Sequence, residues 1–162
     1  MFNKRPIILA ILAGIVIISA SVYLLNPNDN ATALPDEVNT TTLNLGQLTF
    51  QTSIGDAMHR AQSENKMIFI YGRSLSCGWC KKFEAESFND ERITSLLNEN
   101  FVLLSIDTVE QRDIAINLGI RATPTSIFTT PNGQEIIGTR IPGYMDQDSF
   151  YEHLNEVINN EV

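Results

Sequence analysis

Basic residues are scarce in this chain: 11 Lys and Arg stand against 19 Asp and Glu, for a formal net charge of -8. Phosphate recognition needs a basic surface, so the deficit argues against a nucleic-acid partner. It also argues against a purely charge-driven hold on an anionic bilayer. Cysteine is scarcer still, with two in 162 residues, Cys77 and Cys80. A scaffold stapled by several disulfides is therefore excluded. There is no second C-x-x-C to complete a four-thiolate zinc site, and the two histidines, His59 and His153, lie far from the pair in sequence. Lys81 rather than His follows the second cysteine, which excludes c-type haem attachment. Neither a metal nor a cofactor is expected.

One long uncharged run is present. Ile7 to Leu25 is rich in Ile, Leu, Ala and Val and carries no charged side chain. As a helix it spans roughly 28 Å, close to the hydrocarbon thickness of a bilayer. Lys4 and Arg5 precede it, and basic residues stay on the cytoplasmic side. The run exceeds the usual length of a signal h-region, and the Ala31-Thr32-Ala33 triplet lies well beyond its end. The expectation is a retained signal anchor at 7–25, a cytoplasmic N-terminus at 1–6, a linker at 26–44 rich in Asn, Thr, Asp and Pro, and a globular domain at 45–162. This places the domain on the periplasmic or extracytoplasmic side of the inner membrane, tethered by a single pass.

Within that domain, helical and strand patterns alternate. Ser53 is placed to cap a helix through Asn65. Met67 to Tyr71 and Phe101 to Ile106 read as buried strands. Gly72 to Ser76 reads as a loop, with a helix starting near Cys77 and running toward Phe88. Asp90 caps a further helix through Asn98. Glu110 to Leu118 reads as a helix stopped by Gly119. Thr125 to Thr130 is a strand, Pro131-Asn132-Gly133 a turn, and Gln134 to Gly138 its expected antiparallel return. Asp146 or Asp148 caps a last helix through Asn159. The order predicts an α/β fold, a central mixed sheet flanked by helices, with parallel central strands.

The chemistry concentrates at Cys77-Gly78-Trp79-Cys80, after a strand and at a helix start. A bridge across two residues closes almost no loop and so constrains the unfolded chain little, which makes this pair reactive rather than structural. A thiol at a helix N-terminus faces unpaired backbone N–H groups and the positive end of the dipole, and both favour thiolate. Cys77 is thus the expected nucleophile, and Cys80, one turn later, the resolving thiol. Lys81 and Lys82 add positive potential nearby. Trp79 offers an apolar contact to substrate. Glu84 lies four residues after Cys80 on the same helix face, where it reads either as a proton acceptor for Cys80 or as a solvated surface residue. Gly143 either lets a loop approach the site or serves only as a turn before the last helix.

These features together resemble the thioredoxin superfamily: a strand, the C-G-W-C sequence at a helix start, and Ala122-Thr123-Pro124-Thr125 ahead of a strand and a Pro-Asn-Gly turn. The resemblance covers essentially all of Leu45 to Val162. It implies that Pro124 follows a cis bond beside the cysteines and that the Thr123 backbone pairs with an extended substrate segment. Cys80-Lys81-Lys82-Phe83-Glu84, Phe88-Asn89-Asp90 and Gly143-Tyr144-Met145-Asp146 resemble one branch in particular. That branch holds the small exported thioredoxin-related proteins and the C-terminal domain of transmembrane thiol:disulfide interchange reductases. The chain departs from common thioredoxins in having Ser76 before the pair. It also has Tyr71 six residues before Cys77, where they keep a buried acid.

The resulting expectation is a membrane-anchored thiol:disulfide oxidoreductase. It would exchange electrons with cysteines of exported proteins, as a reductant, recharged by a membrane or soluble redox partner. An oxidase is the runner-up. A metal-handling or assembly factor that binds Cu(I) through the same thiols, or delivers reduced cysteines, is the alternative of a different class.

Overall fold

The structure, a computed structural model, describes residues 41–161. The expected N-terminus at 1–6, the apolar span at 7–25 and nearly all of the linker at 26–44 lie outside the described residues. Among the described residues no helix is long and apolar enough to cross a membrane.

Six strands form one mixed sheet: β1 (Thr42–Leu45), β2 (Leu48–Gln51), β3 (Met67–Arg73), β4 (Phe101–Asp107), β5 (Thr125–Thr129) and β6 (Ile141–Pro142), in the order β1-β2-β4-β3-β5-β6. β2 and β3 both run parallel to β4, and β1, β5 and β6 pair antiparallel with their neighbours. Among the described residues five helices flank it: α1 (Ile54–Glu64), α2 (Gly78–Ser87), α3 (Glu91–Asn100), α4 (Arg112–Asn117) and α5 (Gln147–Glu161).

Alternation along the strands divides the core between two faces. Phe69, Tyr71, Leu103 and Phe128 point to one side, where Phe83 and Phe88 near α2, Ile93 and Leu97 of α3, and Phe150 and Leu154 of α5 close over them. Ile68, Ile70, Val102, Leu104 and Ile127 point to the other, against Ala57 and Ala61 of α1 and Ala115 of α4. The first face is mostly aromatic: Phe83 alone meets Tyr71, Phe88, Tyr144 and Phe150 with ring centroids within 6.2 Å.

The helix starts follow their caps. Ser53 Oγ accepts from the Asp56 amide, and Asp90 from the amides of Arg92 and Ile93. Asp146, not Asp148, takes the Ser149 amide at the head of α5.

Several boundaries differ from expectation. The sheet begins at Thr42, inside the segment expected as linker, through the β1–β2 hairpin. Gly46 turns that hairpin at φ +58°, and a side chain there would strike the Phe88 carbonyl. β3 continues through Gly72 and Arg73, expected as loop, because both pair in register with Ile106 and Asp107. α4 starts late because Asp107 Oδ1 takes the amides of Val109 and Glu110 in a preceding turn. Gln134 to Gly138 does not form the expected strand. After one bridge, Thr129 with Glu135, Ile136 dips into the core and Ile137 is 97% exposed. Thr139 then closes a turn onto the Ile136 carbonyl. The strand that follows β5 and returns antiparallel beside it is β6 instead, on the side away from β3.

Candidate active site

The C-terminal end of β3 delivers the chain into α2, and Cys77 is the N-cap of that helix. Its sulfur accepts from the Cys80 amide at 3.0 Å, so an otherwise unpaired helix donor faces the reactive atom. Cys77 is half-buried and Cys80 is fully buried. The two are joined as a disulfide, with Cα atoms 5.2 Å apart.

A second loop completes the site. The Thr123-Pro124 peptide bond is cis, as the resemblance implied, and the Thr123 carbonyl oxygen lies 3.4 Å from Cys77 Sγ. Pro124 is buried and Thr123 half-buried. Gly143, just past β6, donates its amide to the Pro124 carbonyl at 2.8 Å. Its φ of +118° is one that side chains rarely adopt. A Cβ at Gly143 would meet nothing within 4 Å, so here glycine is required by backbone conformation rather than by close approach.

Trp79 is 59% exposed beside the pair and packs on Tyr144, with ring centroids 5.2 Å apart. Lys82 Nζ lies over both rings, 5.4 Å from Trp79 and 4.6 Å from Tyr144, and 3.9 Å from Glu86. The Tyr144 hydroxyl donates to Glu86 at 2.6 Å, and that carboxylate pushes its acidity down, raising its pKa. Lys82, itself exposed, thus lies against this aromatic platform, and Lys81 is exposed as well.

Glu84 is not the solvated surface residue that was one of its two readings. Its side chain is 14% exposed, and Oε1 receives Arg73 Nε at 2.8 Å and lies 3.3 Å from the Tyr71 hydroxyl. The same hydroxyl lies 3.4 Å from the Cys80 carbonyl oxygen. Burial, then the Glu84 charge, pushes the Tyr71 phenol far up, so it stays protonated. Arg73 and the hydroxyl of Tyr71 are the functional candidates that sequence reasoning missed. They stand two residues apart on β3 and share the face that α2 covers, but with Gly72 and Arg73 read as loop the sequence did not show it. His59 is exposed on α1, and His153 Nε2 lies 2.7 Å from the Thr139 carbonyl oxygen.

Residues 54–158 match the model of the thioredoxin-like domain. The chain belongs to the thioredoxin-like family. Spermatogenesis-associated protein 20 of Rattus norvegicus is 36% identical over 91 residues, covering 51% of this chain and 12% of that protein. The thiol:disulfide interchange protein DsbD of Photorhabdus laumondii is 29% identical over 99 residues, covering 59% of this chain and 17% of that protein. The chain thus spans less than a fifth of either relative. Among solved structures, a thioredoxin from Thermus thermophilus superposes with a TM-score of 0.59 at 25% identity, covering 66% of this chain and 85% of that one.

Proposed function

We propose that this thioredoxin-like protein is a thiol:disulfide oxidoreductase that acts on cysteines of exported proteins. The observation that carries the reading is the division of labour at α2: a half-buried Cys77 at the helix N-cap, with the Cys80 amide on its sulfur, and a buried Cys80 one turn behind.

In the reducing direction, the Cys77 thiolate attacks one sulfur of a substrate disulfide. A mixed disulfide forms and one substrate thiolate leaves. Cys80, deprotonated, then attacks Cys77 Sγ, breaking the mixed disulfide and releasing the second substrate thiolate. Two electrons pass to the substrate, and the domain is left in the Cys77–Cys80 disulfide form. A dithiol of a redox partner must restore it by the same two exchanges in reverse. The Thr123 backbone, beside Cys77 and open enough to pair, presents an edge to an extended substrate segment. Trp79 and Tyr144 supply an apolar rim for that segment. Gly143 holds the Pro124 loop in place through its amide.

The domain is proposed to work on the extracytoplasmic side of the inner membrane, held by the span at 7–25. The uncharged run Ile7 to Leu25 and the preceding Lys4 and Arg5 support this. Thiol:disulfide exchange is supported by the similarity to a thiol:disulfide interchange protein, and the reductant direction by the resemblance of Cys80-Lys81-Lys82-Phe83-Glu84 and Gly143-Tyr144-Met145-Asp146 to the exported reductases.

Equilibration of the full chain with glutathione buffers tests the direction. A reductant near the thioredoxin value of about -270 mV is found as the disulfide in a buffer poised near about -190 mV. A chain that remains dithiol there is an oxidant, and the reductant reading falls.

A further inference from the structure

Behind the cysteines lies a buried ion pair that the exchange steps do not use. Arg73 ends β3 with its side chain 7% exposed, and Glu84 projects from α2 toward it. Among the described residues, each has its ion pair with the other alone. The chain of contacts runs from Arg73 Nε to Glu84 Oε1, from that oxygen to the Tyr71 hydroxyl, and from the hydroxyl to the Cys80 carbonyl. The single hydroxyl hydrogen of Tyr71 is shared between two acceptors.

Other charges nearby are engaged elsewhere or exposed. Asp107 is the register partner of Arg73 on β4, but its Oδ1 takes the amides of Val109 and Glu110. Lys82 sits over Trp79 and Tyr144 beside Glu86, and Lys81 is exposed. The buried charge closest in the bonding chain to Cys80 is therefore the Arg73–Glu84 pair, with zero net charge.

We propose that Arg73 is a positioning residue for the dithiol. By holding Glu84 in an ion pair against Tyr71, it cancels a buried carboxylate beside Cys80 and so sets the acidity and redox balance of the Cys77–Cys80 couple. The inference rests on the thiol-exchange reading above. A lone buried carboxylate would oppose thiolate formation and favour the disulfide; a lone guanidinium would do the reverse. Paired, the two fields oppose one another. Tyr71, uncharged and kept protonated by burial, adds a hydrogen-bond donor to this network without adding charge.

The test measures Cys77 thiol acidity, by pH-dependent alkylation, and the equilibrium constant with glutathione, in the full chain. Arg73→Met is expected to raise the thiol pKa and shift the equilibrium about tenfold toward the disulfide, about 30 mV for this two-electron couple. Glu84→Gln is expected to shift both in the opposite direction. In the double variant the constant should return to within about threefold of the wild type. Arg73→Lys, which keeps the charge, should stay close to wild type. Folded variants with lowered stability but unchanged thiol acidity and equilibrium would overturn the proposal and leave the pair a structural element. Should Arg73→Met not fold, Glu84→Gln decides alone: no shift overturns it. A wild-type chain that never exchanges with glutathione would instead sink the thiol-exchange reading itself.

Discussion

Cys77 Sγ lies 3.4 Å from the Thr123 carbonyl oxygen, although 46 positions separate the two residues in the chain. The contact places the reactive sulfur at the edge of the loop that is proposed to receive substrate. It also leaves Cys80 on the inner side, fully buried. Alkylation of the reduced chain at mildly acidic pH is therefore expected to label Cys77 first. Mass mapping of the first adduct checks this, and preferential labelling of Cys80 would reverse the assigned roles.

Gly143 is held at φ +118°, and its amide bonds the Pro124 carbonyl. Space for a Cβ exists, but the backbone conformation is one that only glycine adopts easily. Gly143→Ala is expected to cost about 1–3 kcal/mol through backbone strain. A urea midpoint lowered without a change in slope would show it, whereas unchanged stability would mean the loop relaxes freely.

Phe83 is buried between Tyr71, Phe88, Tyr144 and Phe150, one turn beyond Cys77-Gly78-Trp79-Cys80. Phe83→Ala is expected to cost about 3–5 kcal/mol, the usual range for a buried aromatic replaced by alanine. Denaturant unfolding measures it. A loss under about 1 kcal/mol would mean that α2 is not anchored by this aromatic face.

The Asp90 carboxylate caps α3 and also binds the Arg92 and Gln147 side chains. The Arg92 guanidinium, first among these, holds its pKa well below the usual carboxylate range. A pKa depressed on folding contributes stability above the unfolded value of about 3.9, and that contribution is lost as pH falls through the folded one. Asp90→Ala is expected to cost about 1 kcal/mol at neutral pH. The gap between variant and wild type should narrow below about pH 4. Stability curves that stay parallel down to pH 2 would contradict this.

Much of this site was legible in the sequence because its parts sit on local signals. Ser53 and Asp90 cap their helices as their side chains dictate, and the Cys77-to-Cys80 spacing names a helix start. The Thr123-Pro124-Thr125 triplet was read through the family resemblance, and the cis bond beside Cys77 agrees with it. The Arg73–Glu84 pair was not found, because Gly72 and Arg73 read as loop until the β3–β4 ladder is seen to continue through them. With Arg73 off the strand, nothing in the sequence gives Glu84 a partner. Gln134 to Gly138 misled for a similar reason: a turn signal followed by β-branched residues reads as a strand. Only the three-dimensional course shows Ile136 turning inward and Ile137 outward.

The central claim is that Cys77 attacks and Cys80 resolves. Its most direct test compares two full-length variants incubated, after reduction, with a disulfide-bonded protein, and counts mixed disulfides by non-reducing gel and mass spectrometry. Cys80→Ser is expected to accumulate mixed disulfides through Cys77, because the thiol that would release them is missing. Cys77→Ser is expected to accumulate few, since its remaining thiol is buried. Equal trapping by both variants, or more by Cys77→Ser, would contradict the account.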